Sequence, residues 1–138
     1  MPHNLFLVDT SAWLYALRKE FNSVIRERLD QLLKENRVIT AGIIKLEILG
    51  GTKSEKEFQR LKMRLDALEE CKTDTQLWEK AYDLAFQLRK KGVTIPYTDI
   101  LIAATALSHE ATLLHVDAHF DRAAQFSGLI VESYVGKI

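Results

Sequence analysis

Short, wholly apolar runs alternate with longer amphipathic stretches along almost the whole chain, and few runs of strand length adjoin without a helical pattern between them. That alternation predicts an α/β fold with a central, mostly parallel sheet of four or five short strands and helices on both faces. Leu5 to Val8 is short and entirely apolar, as a strand buried on both faces must be. Val38-Ile39-Thr40, Thr112 to Val116 and Leu129 to Val131 read as further strands.

The helices between them carry their own punctuation. Asp9-Thr10-Ser11 supplies short polar side chains that cap a helix starting near Ala12. Asn22-Ser23 starts a second helix with Ile25, Leu29, Leu32 and Leu33 on its inner face. Ile43, Ile44, Leu46 and Glu47 fall in a third, stopped at Gly50-Gly51. Ser54 and Glu57 have capping-box spacing ahead of Phe58, Leu61, Leu65 and Leu68, which keep helical period. Leu77, Trp78, Ala81, Leu84, Ala85 and Leu88 mark a long helix closed by Lys90-Lys91-Gly92. After Pro96, Thr98 is the expected cap of a helix carrying Ile100, Leu101, Ala103, Ala104 and Leu107. Ala118 to Phe126 reads as a last short helix. No repeat or linker interrupts residues 1–138, so one domain is expected.

Composition sets few further limits. Of 138 residues, 47% are apolar and 28% charged, the balance of a globular chain able to bury a core without staples. Lys+Arg and Asp+Glu are equal at 19 each, so no global field announces a nucleic acid; an acidic site beside a basic groove would cancel in the total. The single Cys71 has no partner for an internal disulfide and reads as a small filler at the end of a helix. Leu5 to Val8 is too short for a signal peptide, and no apolar stretch approaches a membrane span. A soluble, cytoplasmic protein is expected.

The chemistry follows from where the acids fall. Asp9 and Asp117 each come directly after a strand, Asp99 opens a helix, and Glu47 lies late in one. In an open parallel sheet, ligands gather outside the carboxyl ends of the strands where strand order reverses. Carboxylates gathered there repel and raise one another's pKa unless a cation neutralises them. Hard oxygen ligands select Mg²⁺ or Mn²⁺, ions that acidify a bound water and clamp the oxygens of an in-line phosphoryl displacement.

Four segments carry a family resemblance. Leu7-Val8-Asp9-Thr10-Ser11-Ala12-Trp13 resembles the opening motif of PIN domains, and Lys45-Leu46-Glu47-Ile48-Leu49-Gly50-Gly51 is similar to their second. Tyr97-Thr98-Asp99-Ile100-Leu101-Ile102-Ala103-Ala104-Thr105-Ala106 resembles the third and is the most distinctive. His115-Val116-Asp117-Ala118-His119-Phe120 resembles the fourth, where the family usually has Thr in place of His115. The resemblance spans essentially the whole chain, in the right order, and in length and motif style it points to VapC-type toxins of toxin–antitoxin pairs. It implies a single PIN-like domain and a Mg²⁺- or Mn²⁺-dependent endoribonuclease. It also implies a homodimer silenced by a VapB-type antitoxin whose tail lies across the active site, with tRNA or ribosomal RNA as substrate. Carried over by position, Asp9 and Asp99 would be the principal metal ligands, Asp117 a further one, and Glu47 would hold or deprotonate a water. Thr10 or Ser11 would orient Asp9, and Thr98 would do the same near Asp99.

Each residue also has a plainer account. Asp9, Asp99 and Asp117 sit at helix starts, where capping and the dipole favour an acid. Any one alone is better read so; three such accidents in one ordered pattern with Glu47 are not. Glu47 late in a helix is disfavoured by the dipole, and its plain account is a solvated acid near Lys45. His115 and His119 are a poor zinc pair, because His115 belongs to a strand and no third nitrogen or sulfur ligand is near. His119 reads instead as a buttress for Asp117 or a contact to substrate phosphate. Lys53, Lys56, Arg60, Lys62 and Arg64 are interleaved with acids and read as a solvated face, and Lys90 and Lys91 satisfy a helix terminus. Trp13 and Tyr15 read as core or interface residues as readily as base contacts.

Two other functions fit part of the pattern. A PIN-fold protein could act mainly by binding, in an antitoxin complex on its operon or on RNA, but retaining repulsive acids without a metal is costly. A phosphotransferase with an aspartyl nucleophile would need a second acid two residues after Asp9, where Ser11 stands.

Overall fold

The computed structural model describes residues 4–17 and 24–137. In chain order the elements are β1 (Phe6–Val8), α1 (Thr10–Leu17), α2 (Val24–Lys34), β2 (Val38–Ala41), α3 (Gly42–Gly50) and α4 (Glu55–Asp66). They continue with β3 (Glu69–Cys71), α5 (Thr75–Lys90), α6 (Tyr97–Ser108), β4 (Thr112–His115), α7 (Ala118–Gln125) and β5 (Val131–Ser133). All four strand pairings are parallel, in the order β3-β2-β1-β4-β5. The chain steps outward from β1 through β2 to β3, then returns to the other side of β1 for β4 and β5. Right-handed crossovers therefore send the helices of the two halves to opposite faces.

Burial explains why the central strands read so clearly. Phe6, Leu7 and Val8 are all buried, as are Leu113, Leu114 and His115, because helices cover both faces of β1 and β4. The register sets Phe6 beside Val38 on one side and beside Thr112 on the other. Helix α6 is buried on every side from Ile100 to Ala106, and its alanines let neighbouring elements approach closely. The one hydroxyl buried in its middle, Thr105, donates back to the Leu101 carbonyl at 2.8 Å.

Helix ends follow local chemistry. Ser54 caps α4 by accepting the Glu57 N–H at 3.1 Å, while the Glu57 carboxylate accepts the Lys53 N–H at 3.3 Å. Asp74 caps α5 by accepting the Leu77 N–H at 2.9 Å, a signal the sequence analysis passed over. Beyond α5 the chain turns at Gly92, whose φ of +80° suits glycine, and the Val93 N–H closes onto the Leu88 carbonyl at 2.9 Å.

Several expectations need correction. Strand β3 was not anticipated: Glu69 and Glu70 are exposed and only Cys71 is buried, so an edge strand of three residues leaves no apolar run. Cys71 thus ends a strand and not a helix. Burial, with the charges of Glu69 and Glu70, pushes its thiol up to about 11. The last strand begins at Val131, two residues later than expected, because Leu129 is buried in the preceding loop while Val131 pairs with Leu113. Leu33 and Trp78 are exposed and not part of inner faces. Helix α1 begins at Thr10, since the Ala12 and Trp13 N–H groups already return to the Asp9 carbonyl. Thr98 lies inside the first turn of α6, exposed, and Pro96 holds the capping position. The expected start of α2 at Asn22-Ser23 lies outside the described residues.

Core packing makes a direct prediction. Leu113→Ala, at a fully buried position beside β1, should cost about 3 kcal/mol in urea denaturation, whereas Leu46→Ala, at an exposed position on α3, should cost less than about 0.5 kcal/mol.

Candidate active site

Strand order reverses between β1 and β4, and the chain leaving each of these strands carries an acid. Asp9 follows Val8 directly, and Asp117 follows His115 by one intervening residue. Neighbouring parallel strands end on the same edge of the sheet, so both acids emerge at the reversal. Helix α6 brings Asp99 there in its first turn, and α3 brings Glu47. All four acids named from the sequence therefore converge.

Serine 11 ties the two strand ends together. Its hydroxyl donates to Asp9 Oδ2 at 2.5 Å and accepts the Val116 N–H at 3.0 Å, while its own N–H donates to the same Asp9 oxygen at 3.0 Å. Thr10 turns the other way: its hydroxyl donates to Glu47 Oε1 at 2.6 Å, fixing that acid against the start of α1. Lys45 does not neutralise Glu47, since it pairs with Asp66 at 2.6 Å and Glu70 at 2.8 Å. Thr98 offers Asp99 no hydrogen bond; His119 does, with Nδ1 at 3.0 Å from Asp99 Oδ2 and 3.2 Å from Asp117 Oδ1. Asp117 caps α7 by accepting the His119 N–H at 2.9 Å.

A buried histidine stands behind Asp117. His115 is fully buried, and its Nδ1 accepts the Asp117 N–H at 3.0 Å. Its Nε2 faces Asp121 Oδ1 at 3.3 Å, an ionic-range contact and not a hydrogen bond, and its ring meets Phe120 edge-on. Burial holds the ring below the usual histidine range, which keeps it neutral with Nδ1 free to accept. Neither nitrogen faces the acids, so a zinc pair with His119 is excluded by geometry. The signal was available: a histidine ending an apolar strand needs a polar partner, and Asp121 lies one turn into the next helix.

The electrostatics are those of carboxylates gathered at a partly buried site. Asp9 is only 4% exposed, and burial pushes its carboxyl from 3.8 up to about 6, against the lowering by its two Ser11 hydrogen bonds and with the help of Asp99 and Glu47. Burial also raises Asp99; His119 lowers it, and the charges of Asp117 and Glu47 raise it further. Among the described residues no lysine or arginine pairs with any of the four acids, and Asp9 Oδ1 has no donor. Oxygens of Asp99 and Asp117 and a nitrogen of His119 lie within 4.8 Å of one another, a donor set that fits a hard divalent cation. Asp9 and Glu47 would complete its surroundings.

The PIN domain profile matches residues 6–125. The chain belongs to the PIN-domain family. Ribonuclease VapC21 of Mycobacterium tuberculosis is 32% identical over 130 residues, covering 92% of this chain and 91% of that protein. VapC ribonuclease Mb1587 of Mycobacterium bovis is 30% identical over 134 residues, covering 94% and 99%. Among solved structures, VapBC2 from Rickettsia felis bound to a promoter DNA fragment superposes with a TM-score of 0.78 at 25% identity, over 94% of this chain and 98% of that one. DNA-bound VapBC from Salmonella typhimurium, at 23% identity and a TM-score of 0.79, shares the fold over 96% and 99%. Among the described residues no helix is long and apolar enough to cross a membrane.

Burial of Asp9 predicts a pH effect with a definite sign. Because its folded pKa is raised, the fold favours the protonated acid, so its contribution to stability is present at low pH. That contribution is lost as pH rises from 3.8 through about 6. Above that range the ionised carboxylate costs on the order of 3 kcal/mol in metal-free protein. In EDTA, Asp9→Asn should therefore melt higher than the parent near pH 8, with a gap that narrows toward pH 5. A variant less stable than the parent across that range would refute the burial argument.

Proposed function

We propose that this chain is a divalent-metal-dependent endoribonuclease, the toxin of a VapBC-type toxin–antitoxin pair. The observation that carries the reading is the meeting of Asp9, Glu47, Asp99 and Asp117 at the reversal of strand order, with Asp9 buried and no lysine or arginine among those described paired with any of them. Its relatives' names point the same way. A Mg²⁺ or Mn²⁺ ion held there would lower the pKa of a water and offset charge growing on the phosphoryl oxygens.

The chain's own residues supply the rest. Asp9, Asp99 and Asp117 would hold the cation, with Asp9 oriented by Ser11 and the Asp117 turn by His115. Glu47, steadied by Thr10, orients the attacking water and takes its proton. His119 holds Asp99 and Asp117 in register. The substrate is RNA of the tRNA or ribosomal class, cut in the cytoplasm, where Cys71 stays reduced.

A VapB-type antitoxin is the proposed partner. A groove of about 560 Å³ runs between α1, α2 and α4, lined by Leu29, Leu33 and Leu68 together with Arg60 and Arg64. Trp13 also lines it, and the Trp13 Nε1 is buried without a hydrogen-bond partner among the described residues. An amphipathic segment carrying acids would bury its apolar side on the leucines and meet the arginines. A homodimer is the proposed assembly; the exposed aromatic stripe of Trp78, Tyr82 and Phe86 on α5 supports it.

The test is incubation of antitoxin-free protein with total cellular RNA, in Mg²⁺ or Mn²⁺ and in EDTA. Discrete fragments should form only with metal. Asp99→Asn should lower cleavage by about a hundredfold or more with the fold unchanged by circular dichroism. A folded, fully active Asp99→Asn protein would overturn the assignment.

A further inference from the structure

We propose that His119 is itself a metal ligand, joining Asp99 and Asp117, and that this nitrogen tilts the site toward Mn²⁺ and away from Mg²⁺. The inference rests on the metal-dependent reading above and goes beyond it, because an all-carboxylate centre would have no such preference. It also departs from the expectation that His119 only buttresses Asp117 or touches phosphate.

Geometry carries the argument. His119 Nδ1 lies 3.0 Å from Asp99 Oδ2 and 3.2 Å from Asp117 Oδ1. Adjacent ligands of an octahedral ion with bonds of roughly 2.0–2.1 Å are themselves about 3 Å apart. The imidazole nitrogen thus already stands at the separation of a neighbouring corner from each carboxylate oxygen, and the three donor atoms all lie within 4.8 Å of one another.

The ring is held in that place by backbone. His119 is the second residue of α7, and its N–H donates to Asp117 Oδ1 at 2.9 Å, so ring and carboxylate belong to one turn. His115 anchors the start of that turn from beneath through the Asp117 N–H. The His119 side chain is 42% exposed, which leaves Nε2 access to solvent while Nδ1 faces the acids.

The selectivity follows from ligand chemistry. Mg²⁺ takes oxygen and keeps its waters, whereas later first-row ions accept imidazole readily. A single nitrogen among carboxylates therefore favours Mn²⁺ without making a zinc site, since His115 has both nitrogens turned elsewhere. If His119 were no more than a hydrogen-bonding bridge, an entering cation would push it aside and bind oxygen alone.

Binding of Mn²⁺ to the full chain, followed by electron paramagnetic resonance, tests this without RNA. Pulsed spectra of the bound ion should show modulation from a directly coordinated ¹⁴N nucleus. His119→Gln should lose that modulation and bind Mn²⁺ about tenfold more weakly, with Mg²⁺ affinity changed by less than about threefold. Absence of nitrogen modulation in the parent protein, its persistence in His119→Gln, or unchanged Mn²⁺ affinity would overturn the inference. The parent spectrum answers the question even if the variant fails to fold. If the parent binds Mn²⁺ through oxygen alone and Asp99→Asn abolishes that binding, only the role of His119 falls. If the parent binds neither Mn²⁺ nor Mg²⁺, the metal-dependent reading falls with it.

Discussion

Like charges brought together under a low-dielectric roof repel more strongly than they would in water, and folding must hold them there against that repulsion. Four carboxylates converge at the reversal of strand order, one of them almost wholly buried, and no lysine or arginine among those described is paired with them. Nothing in the packing of the core requires this arrangement; a protein selected for stability alone would replace Asp9 with a neutral residue. The surrounding structure makes sense as the apparatus that keeps these acids in place.

That apparatus works through backbone groups at strand ends. The Ser11 hydroxyl both donates to Asp9 and accepts the Val116 N–H, so the acid after β1 and the chain leaving β4 are fixed by one atom. Thr10, one residue earlier, holds Glu47 from α3. His115 holds the Asp117 N–H from the core side. Asp9 and Glu47 thus rest on neutral hydroxyls, and the Asp117 turn on the buried His115 ring. Neutral supports orient a carboxylate without satisfying its charge, which leaves the charge available to a metal.

Most of this was legible in the sequence because burial on both faces imposes a simple pattern. Phe6, Leu7 and Val8, or Leu113 and Leu114, could hardly be anything but central parallel strands, and once β1 and β4 are adjacent their terminal acids must meet. Edge structure was not legible for the converse reason. β3 is paired on one side only, with Glu69 and Glu70 in solvent, so pairing with β2 and not composition makes it a strand. The start of α6 misled because Thr98 is a good cap by type, while the restricted backbone around Pro96 fixes the boundary earlier.

The two histidines of the fourth motif show where residue type stops being informative and environment takes over. His115 and His119 are separated by one helical turn in sequence, and spacing alone made them look like a pair. The end of β4 lies beneath the sheet edge, fully buried, and there an imidazole serves as a rigid acceptor for a backbone N–H. The start of α7 lies at the surface, and there the same group faces two carboxylates with its far nitrogen in water. His115 therefore leaves the acids undisturbed, because its ring makes the hydrogen bond to the Asp117 turn that a small polar side chain could make. The larger ring also fills space against Phe120 and reaches Asp121, binding α7 to β4 more broadly than a hydroxyl could. In physical terms a buried acceptor lies beneath the turn and an acid stands upon it.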